Sequence, residues 1–267
     1  MKWAVLALGL QLTLASTLDD LHRAARAGNL ERLRVAIEQV LQQQGSIDAP
    51  DSLGATALHD AVWAGQMAAV SLLLDNGAAV NARHLEGGST PLHFAVGINR
   101  FDVAELLIAR GADIQAVDRS GSTPLQIAAG RSSAAIVDLL LAHGAKLNAP
   151  DAGGRTPLDE AASKGNTEAV GALLAHGADC NRKNAETGGT ALHEAARKGH
   201  LDVVHLLLRQ GIDVSATDRS GATAVDEALN SNHAAVAQAL LAKGARLPGP
   251  QSLHDAVLKG HLEVVAL

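Results

Sequence analysis

Apolar and polar positions along this chain alternate in short helical bursts cut by glycine, as the stretch TALHEAARKGHLDVV over residues 190–204 illustrates. A threonine opens a run whose apolar positions recur at helical spacing, a glycine interrupts it, and a second run begins at once. The same arrangement recurs at Thr56, Thr90, Thr123, Thr156, Thr190 and Thr223, separated by 34, 33, 33, 34 and 33 residues. A fixed period of this length marks a repeat architecture in which each unit is too small to bury its own apolar side and stacks on the next. The two longer spacings carry doubled glycines, Gly87-Gly88 and Gly188-Gly189. The extra residue therefore falls in a loop, which absorbs it at little cost.

Each unit predicts two helices. The threonine hydroxyl is suited to accept from an orphan N–H at a helix start, and Pro91, Pro124 and Pro157 follow at the first helical position. Ala61, Ala95, Ala128, Ala161, Ala195 and Ala228 fall five residues later, where a methyl lets neighbouring helices approach closely. Nine residues after the threonine, Gly65, Gly165 and Gly199 suit the left-handed conformation that ends a helix, with Asn99, Ser132 and Asn232 in the other copies. Serine tolerates that conformation least well, so the turn at Ser132 is the weakest. The second helix carries a stripe such as Val203, Val204, Leu207 and Leu208, and ends at a glycine 21 residues past the threonine, as at Gly77, Gly111 and Gly211.

The pattern D-x-x-G-x-T-P-L-H, paired alanines, glycine, V-x-x-L-L and G-A-D, clear over residues 118–148, resembles the ankyrin repeat. The resemblance covers residues 18–267. It implies an all-α solenoid of stacked helix-turn-helix units with hairpin loops projecting to one side, a concave face free for contact, and protein binding as the activity. The expected organisation is an N-terminal capping repeat over 17–50, six repeats over 51–250 and a truncated repeat over 251–267. The capping unit repeats the first-helix motif as LHRAARAGNLERL without its threonine, and its second helix is extended through VLQQQG.

Composition narrows the core chemistry. The chain is 47% hydrophobic and holds only four aromatics, Trp3, Trp63, Phe94 and Phe101, so its core is built from Ala, Leu and Val. A net charge of -6 argues against bulk electrostatic binding to nucleic acid or anionic membranes. Cys180 stands alone, which excludes an intrachain disulfide and a multi-cysteine zinc site; its place in ADCN suggests a buried thiol. Lys2 followed by the apolar stretch 3–16 is too short to span a bilayer and reads as a signal peptide, which would place the chain in a secreted or periplasmic setting. An apolar helix lying on the first repeat is the other reading, with a cytoplasmic address.

Catalytic signatures are weak. His193-Glu194 begins a metalloprotease-like motif, but Arg197 stands where a second histidine is required. His59, His93 and His254 occupy the same slot in other repeats, and the ankyrin resemblance implies that this histidine bonds to loop backbone. Asp159-Glu160 and Asp226-Glu227 diverge around a helix and lack the geometry of an acid/base pair, while His200 and His205 diverge likewise. No catalytic residue, metal or cofactor is expected, and the chain is read as non-catalytic.

The resemblance leaves the hairpin tips and the end of each first helix free for binding. Those positions hold Trp63, Ile98, Arg131, Lys164, Arg197 and Lys198, with Arg26 and Lys259 equivalent in the end units, and the hairpins add Arg119, Arg155 and Arg219. Glu186 is the main acidic exception. A basic face of this kind would favour an acidic protein or peptide partner. Basic residues at a helix C-terminus also gain about 0.3–1 kcal/mol from the helix dipole, so those positions have a purely structural reading as well. The hairpin arginines have no helix end to reward them. Trp63 is either an exposed anchor for a partner or packs beside Phe94 or Met67.

Overall fold

Four of the six repeat threonines cap a helix through the side-chain hydroxyl. In a computed structural model describing residues 2–131, 133–246, 254, 257 and 258, with side chains from residue 14 onward, Thr56, Thr123, Thr156 and Thr223 accept from the N–H three residues ahead. The chain forms two compact units, residues 1–119 and 120–267. The first holds α1 (Lys2–Ala27), α2 (Leu30–Gln42), α3 (Ala57–Trp63), α4 (Met67–Asp75), α5 (Pro91–Gly97) and α6 (Phe101–Ala109). The second holds α7 (Pro124–Gly130), α8 (Ala134–Ala142), α9 (Pro157–Lys164), α10 (Thr167–Ala175), α11 (Ala191–Lys198), α12 (Leu201–Arg209), α13 (Ala224–Asn230) and α14 (Ala234–Ala242). Among the described residues no strand forms beyond one isolated bridge between Thr217 and Thr223.

Each unit is a two-layer stack. In the first, α1, α3 and α5 pack in one row and α2, α4 and α6 in the other; in the second, α7, α9, α11 and α13 face the row α8, α10, α12 and α14. The alanine position is what permits this spacing: Ala61, Ala95, Ala128, Ala161, Ala195 and Ala228 are fully buried between neighbouring helices. Val203, Val204 and Leu207 are buried as the apolar stripe predicts, whereas Leu208, expected with them, lies half-buried at the edge of the stripe. The left-handed turns fall at Gly65, Gly165, Gly199, Asn99 and Asn232 as predicted, while the turn at Ser132 lies outside the described residues. At Gly165 and Gly199 a side chain is excluded twice over, because φ is positive and a Cβ would lie within 2.6 Å of the His200 and His233 rings.

A second set of bonds ties successive repeats. His59 Nε2 lies 3.1 Å from the Ser89 carbonyl, Gln126 Nε2 donates to Arg155 O at 2.8 Å, and His193 Nε2 lies 3.2 Å from Ala222 O. Each acceptor is the residue just before the next capping threonine. The other side of each ring or amide accepts from its own threonine N–H, at 3.1 Å for His193. This bears out the backbone-bonding role the family resemblance implies for His193. Burial, only partly offset by the Ala222 carbonyl, keeps that imidazole below its ordinary pKa and so neutral.

Residues 2–27 form one helix, so the apolar stretch and the first repeat's opening helix are continuous. Thr17 is buried and accepts from Gln43 Nε2 at 3.3 Å, while the Leu14 side chain lies against Gly45. Helix α2 runs for 13 residues against 9 in α4 and α6, but it stops at Gln42, short of the expected run through VLQQQG. The expected truncated repeat over 251–267, with Lys259, lies outside the described residues except at 254, 257 and 258.

Candidate partner-binding site

In the first unit, the short helices and hairpin tips gather aromatic and aliphatic side chains around one cleft. Trp63, at the end of α3, is 61% exposed and meets Phe94 of α5 edge-to-face, with ring centroids 6.0 Å apart. Trp63 thus packs beside Phe94 while most of its surface stays exposed. His59 also meets Phe94 edge-on, at 5.0 Å, and His84 lies tilted against it at 5.7 Å. The hairpin tips add Leu53 at 65% and Leu85 at 57% exposure, and Leu85 Cβ packs over Gly54. Leu53, His59, Trp63, His84 and Phe94, with Arg26, Asp51 and Asp60, line a cleft of about 360 Å³, and Leu85 lies outside that lining.

The polar wall of the cleft is internally neutralised. His22 Nδ1 lies 2.8 Å from Asp60 Oδ2 and its Nε2 lies 3.0 Å from the Ala49 carbonyl. Both neighbours are acceptors, so both ring nitrogens donate, which only the imidazolium can do. Burial pulls the His22 pKa down, but the Asp60 hydrogen bond, the Ala49 carbonyl and the charges of Asp60 and Asp51 outweigh it and leave it raised. Arg26 donates through Nη2 and Nε to Asp60 Oδ1, at 2.7 and 3.2 Å, and reaches Asp51 at 3.5 Å. Two cations thus balance two carboxylates. His22, Asp51 and Asp60 come close enough together to share a cation, yet Arg26 and the His22 proton already occupy that space. Burial, and the neighbouring His84 after the opposing Ser89 bond, lower the pKa of His59 to about 4, so its ring is neutral at neutral pH.

The basic positions singled out in the sequence are exposed but mostly engaged by their own chain. In the first unit, Arg119 donates its backbone N–H to Gly87 O at 2.9 Å and its Nη2 to Leu85 O at 2.5 Å. In the second, Arg219 repeats this on the other doubled-glycine hairpin, from its N–H to Thr187 O at 2.9 Å and from Nη2 to Ala185 O. The two arginines therefore have a structural reward that linear spacing concealed: each straps the longer hairpin of the preceding repeat. Arg155 pairs with Asp151 at 3.2 Å and with Glu160 at 3.1 Å, Lys164 lies 3.8 Å from Glu160, and Arg197 pairs with Glu194. Arg131 and Lys198 are exposed at the ends of their helices.

Sequence reasoning passed over three features here. Glu160, Glu194 and Glu227 occupy one equivalent position and interleave with the cations; the i,i+3 and i,i+4 spacings to Arg197 and Lys164 carried that signal. Leu53 and Leu85 stand at hairpin tips where the other copies carry Ser, Gly, Ala, Thr or Arg and no large apolar residue, so aligning the tips would have exposed them. Nothing local announced the His22–Asp60–Arg26 network, since its members are 34 and 38 residues apart. Cys180, expected to be buried, is half-buried; burial followed by Asp179 raises its pKa, so its thiol stays protonated.

Comparison with known proteins agrees with this architecture. A family profile for ankyrin repeats in three copies matches residues 21–118, 92–184 and 183–248. The mouse protein phosphatase 1 regulatory subunit 27 is 38% identical over 93 residues, 35% of this chain and 58% of that protein. The mouse B-cell lymphoma 3 protein homolog is 32% identical over 96 residues, 36% of this chain and 21% of that protein, so the matched part falls short of two thirds of either relative. The crystal structure of the ankyrin repeat domain of Bcl-3 superposes with a TM-score of 0.69 at 31% identity, covering 77% of this chain and 92% of that one. Ankyrin repeats generally mediate protein–protein interaction, and with its two-layer helix pairs, projecting hairpins and matched repeats this chain belongs to the ankyrin-repeat family.

Proposed function

We propose that this chain is a non-catalytic protein-interaction scaffold that holds its partner on the face built by the first helices and hairpins. The observation that carries the reading is the cluster of Leu53, Trp63 and Leu85, three large apolar side chains more than half exposed beside Phe94. Contiguous exposed apolar surface of this kind marks interaction sites, and tryptophan is the residue most enriched among binding hot spots. An acidic partner drawn to Arg119, Arg131, Arg155, Lys164, Arg197, Lys198 and Arg219 is the companion proposal. It has less support, because Arg155, Lys164 and Arg197 already face Glu160 and Glu194.

Capture of partners on immobilised full-length chain separates the two. Trp63→Ala is expected to reduce capture at least about tenfold, as hot-spot truncations do. Neutralising Arg155, Lys164, Arg197 and Arg219 together to Gln tests the charged face; reversal to Glu would place new carboxylates against Glu160 and Glu194 and confound binding with stability. Capture unmoved by the Gln variant retires the acidic partner, and capture unmoved by either variant retires this face.

Export with removal of residues 1–16 is proposed as the address of the chain, on the strength of Lys2 and the apolar stretch that follows. Among the described residues no helix is long and apolar enough to cross a membrane. The N-terminus of the mature chain, read by mass spectrometry, is expected near Ser16 or Thr17; an intact Met1 in a cytosolic fraction contradicts it.

A further inference from the structure

We infer that the cleft of the first unit takes a peptide segment presenting one large uncharged apolar side chain, with a backbone carbonyl beside it received by Arg26. The inference deepens the scaffold reading and rests on it. Three observations carry it, and the first is what the cleft offers sterically. Its volume of about 360 Å³ suits an inserted side chain more than a folded surface, and its lining combines the Phe94 ring, the exposed Trp63 indole and the Leu53 side chain. An aliphatic or aromatic group inserted there removes its own apolar surface and that of Trp63 from water together.

The second observation is charge. Asp51 and Asp60 on the cleft wall are matched by Arg26 and the His22 imidazolium, so the wall has no net charge to attract an ionic group. A partner carboxylate entering beside Arg26 would approach Asp51 and Asp60 and lose its hydration for no net Coulombic return; a partner ammonium would do the same against Arg26 and His22. Neither sign is favoured. The occupant is therefore uncharged where it enters.

The third observation is a spare donor. Arg26 is 54% exposed and uses Nε and Nη2 on Asp60 and Asp51, while its Nη1 has no hydrogen bond among the described residues. A peptide carbonyl accepts from that nitrogen without bringing a charge. The hairpin backbone offers no comparable edge, because Leu85 N–H donates to Gly54 O at 2.9 Å and Leu85 O accepts from Arg119. Recognition is thus by inserted side chain plus one arginine, not by added strand.

Selection of displayed short random peptides on the full-length chain, followed by fluorescence anisotropy with synthetic winners, tests this. Expected winners carry Leu, Ile, Met, Phe or Trp with no Asp or Glu beside it, and their affinity changes less than about twofold between about 50 and about 500 mM salt. Trp63→Ala and, separately, the exposed-tip variant Leu53→Ser are expected to weaken binding at least about tenfold with unchanged helicity by circular dichroism, and Arg26→Gln by a smaller factor. The Gln variant of Arg155, Lys164, Arg197 and Arg219 is expected to bind as the parent does. Winners that are acidic, salt-sensitive and lost in that Gln variant overturn the inference and leave the scaffold reading standing. Apolar winners indifferent to both Trp63→Ala and Leu53→Ser, or a selection yielding no binders, overturn it as well; the scaffold reading stands or falls separately, on partner capture.

Discussion

Asp60→Ala is expected to destabilise the first unit by about 3–5 kcal/mol near pH 6, the range seen when one member of a buried ion pair is removed. The carboxylate of Asp60 is buried in α3 and binds two groups of α1 at once, His22 at 2.8 Å and Arg26 at 2.7 Å. Without it the His22 Nδ1 proton loses its acceptor, and only the Ala49 carbonyl and the charge of Asp51 remain to hold the imidazolium. Urea unfolding with hydrogen exchange across α1 measures the effect, and a loss below about 1 kcal/mol would show the network to be incidental. A His22→Leu, Asp60→Leu double variant is expected to recover much of the loss, because two apolar groups leave no buried charge unpaired. The sign of the pH dependence follows from the raised His22 pKa: its contribution is complete below the unfolded value, about 6.5, and fades as pH rises through the higher folded value. Because Asp60 and Arg26 also line the cleft, the same substitution should loosen peptide binding there, so binding in this variant is interpretable only alongside its stability.

Asp159→Gln is expected to work in the opposite direction, raising stability by about 1–3 kcal/mol at pH 7. Asp159 stands in the slot where His59, Gln126 and His193 each send a donor to the next hairpin, and a carboxylate has no proton to send. Burial raises its pKa to about 6; the Thr156 N–H and hydroxyl oppose the rise, and Glu194 adds to it. An aspartate whose folded pKa lies above its unfolded value favours folding most below about pH 4, where both states are protonated. Stability then declines as pH climbs through about 4 to 6 and stays lower above. Glutamine keeps the oxygen that accepts from Thr156 N–H and adds the donor used by Gln126, whose two bonds are each 2.8 Å. Thermal or urea melts of both chains at pH 4 and pH 7 decide it: the stabilisation should shrink at pH 4, and a pH-independent difference would mean that the carboxylate charge is not its source.

Much of the fold was legible because its determinants are local. The capping threonines, the first-position prolines, the alanines of the helix contacts and the glycine or asparagine at each left-handed turn act within a few residues of themselves, and each falls in the structure where its chemistry requires. Repetition added what a single copy could not, since a signal seen six times outweighs the ambiguity of any one helix of seven or eight residues. The candidate site was less legible. Trp63 could be singled out as one unusual residue, yet its relation to Phe94, Leu53 and Leu85 depends on two successive hairpins and the helices that follow them meeting. The cations at helix ends and hairpin tips were visible as charges, but their pairing was decided by which carboxylate or carbonyl the neighbouring repeat or turn presents.

What the sequence determined by itself is the family, the length of the repeat, the order of its helices and the residues that cap them, because hydrogen bonds and side-chain sterics over short spans specify these. What only the tertiary structure decided is which charges remain free and where apolar surface stays open. Arg119 and Arg219 became straps on hairpins 34 residues back, and His22 acquired a proton through a carboxylate 38 residues away. The reason is physical: exposure and ionisation belong to a side chain's three-dimensional surroundings, and stacking sets those surroundings from residues that the linear pattern holds about one repeat apart.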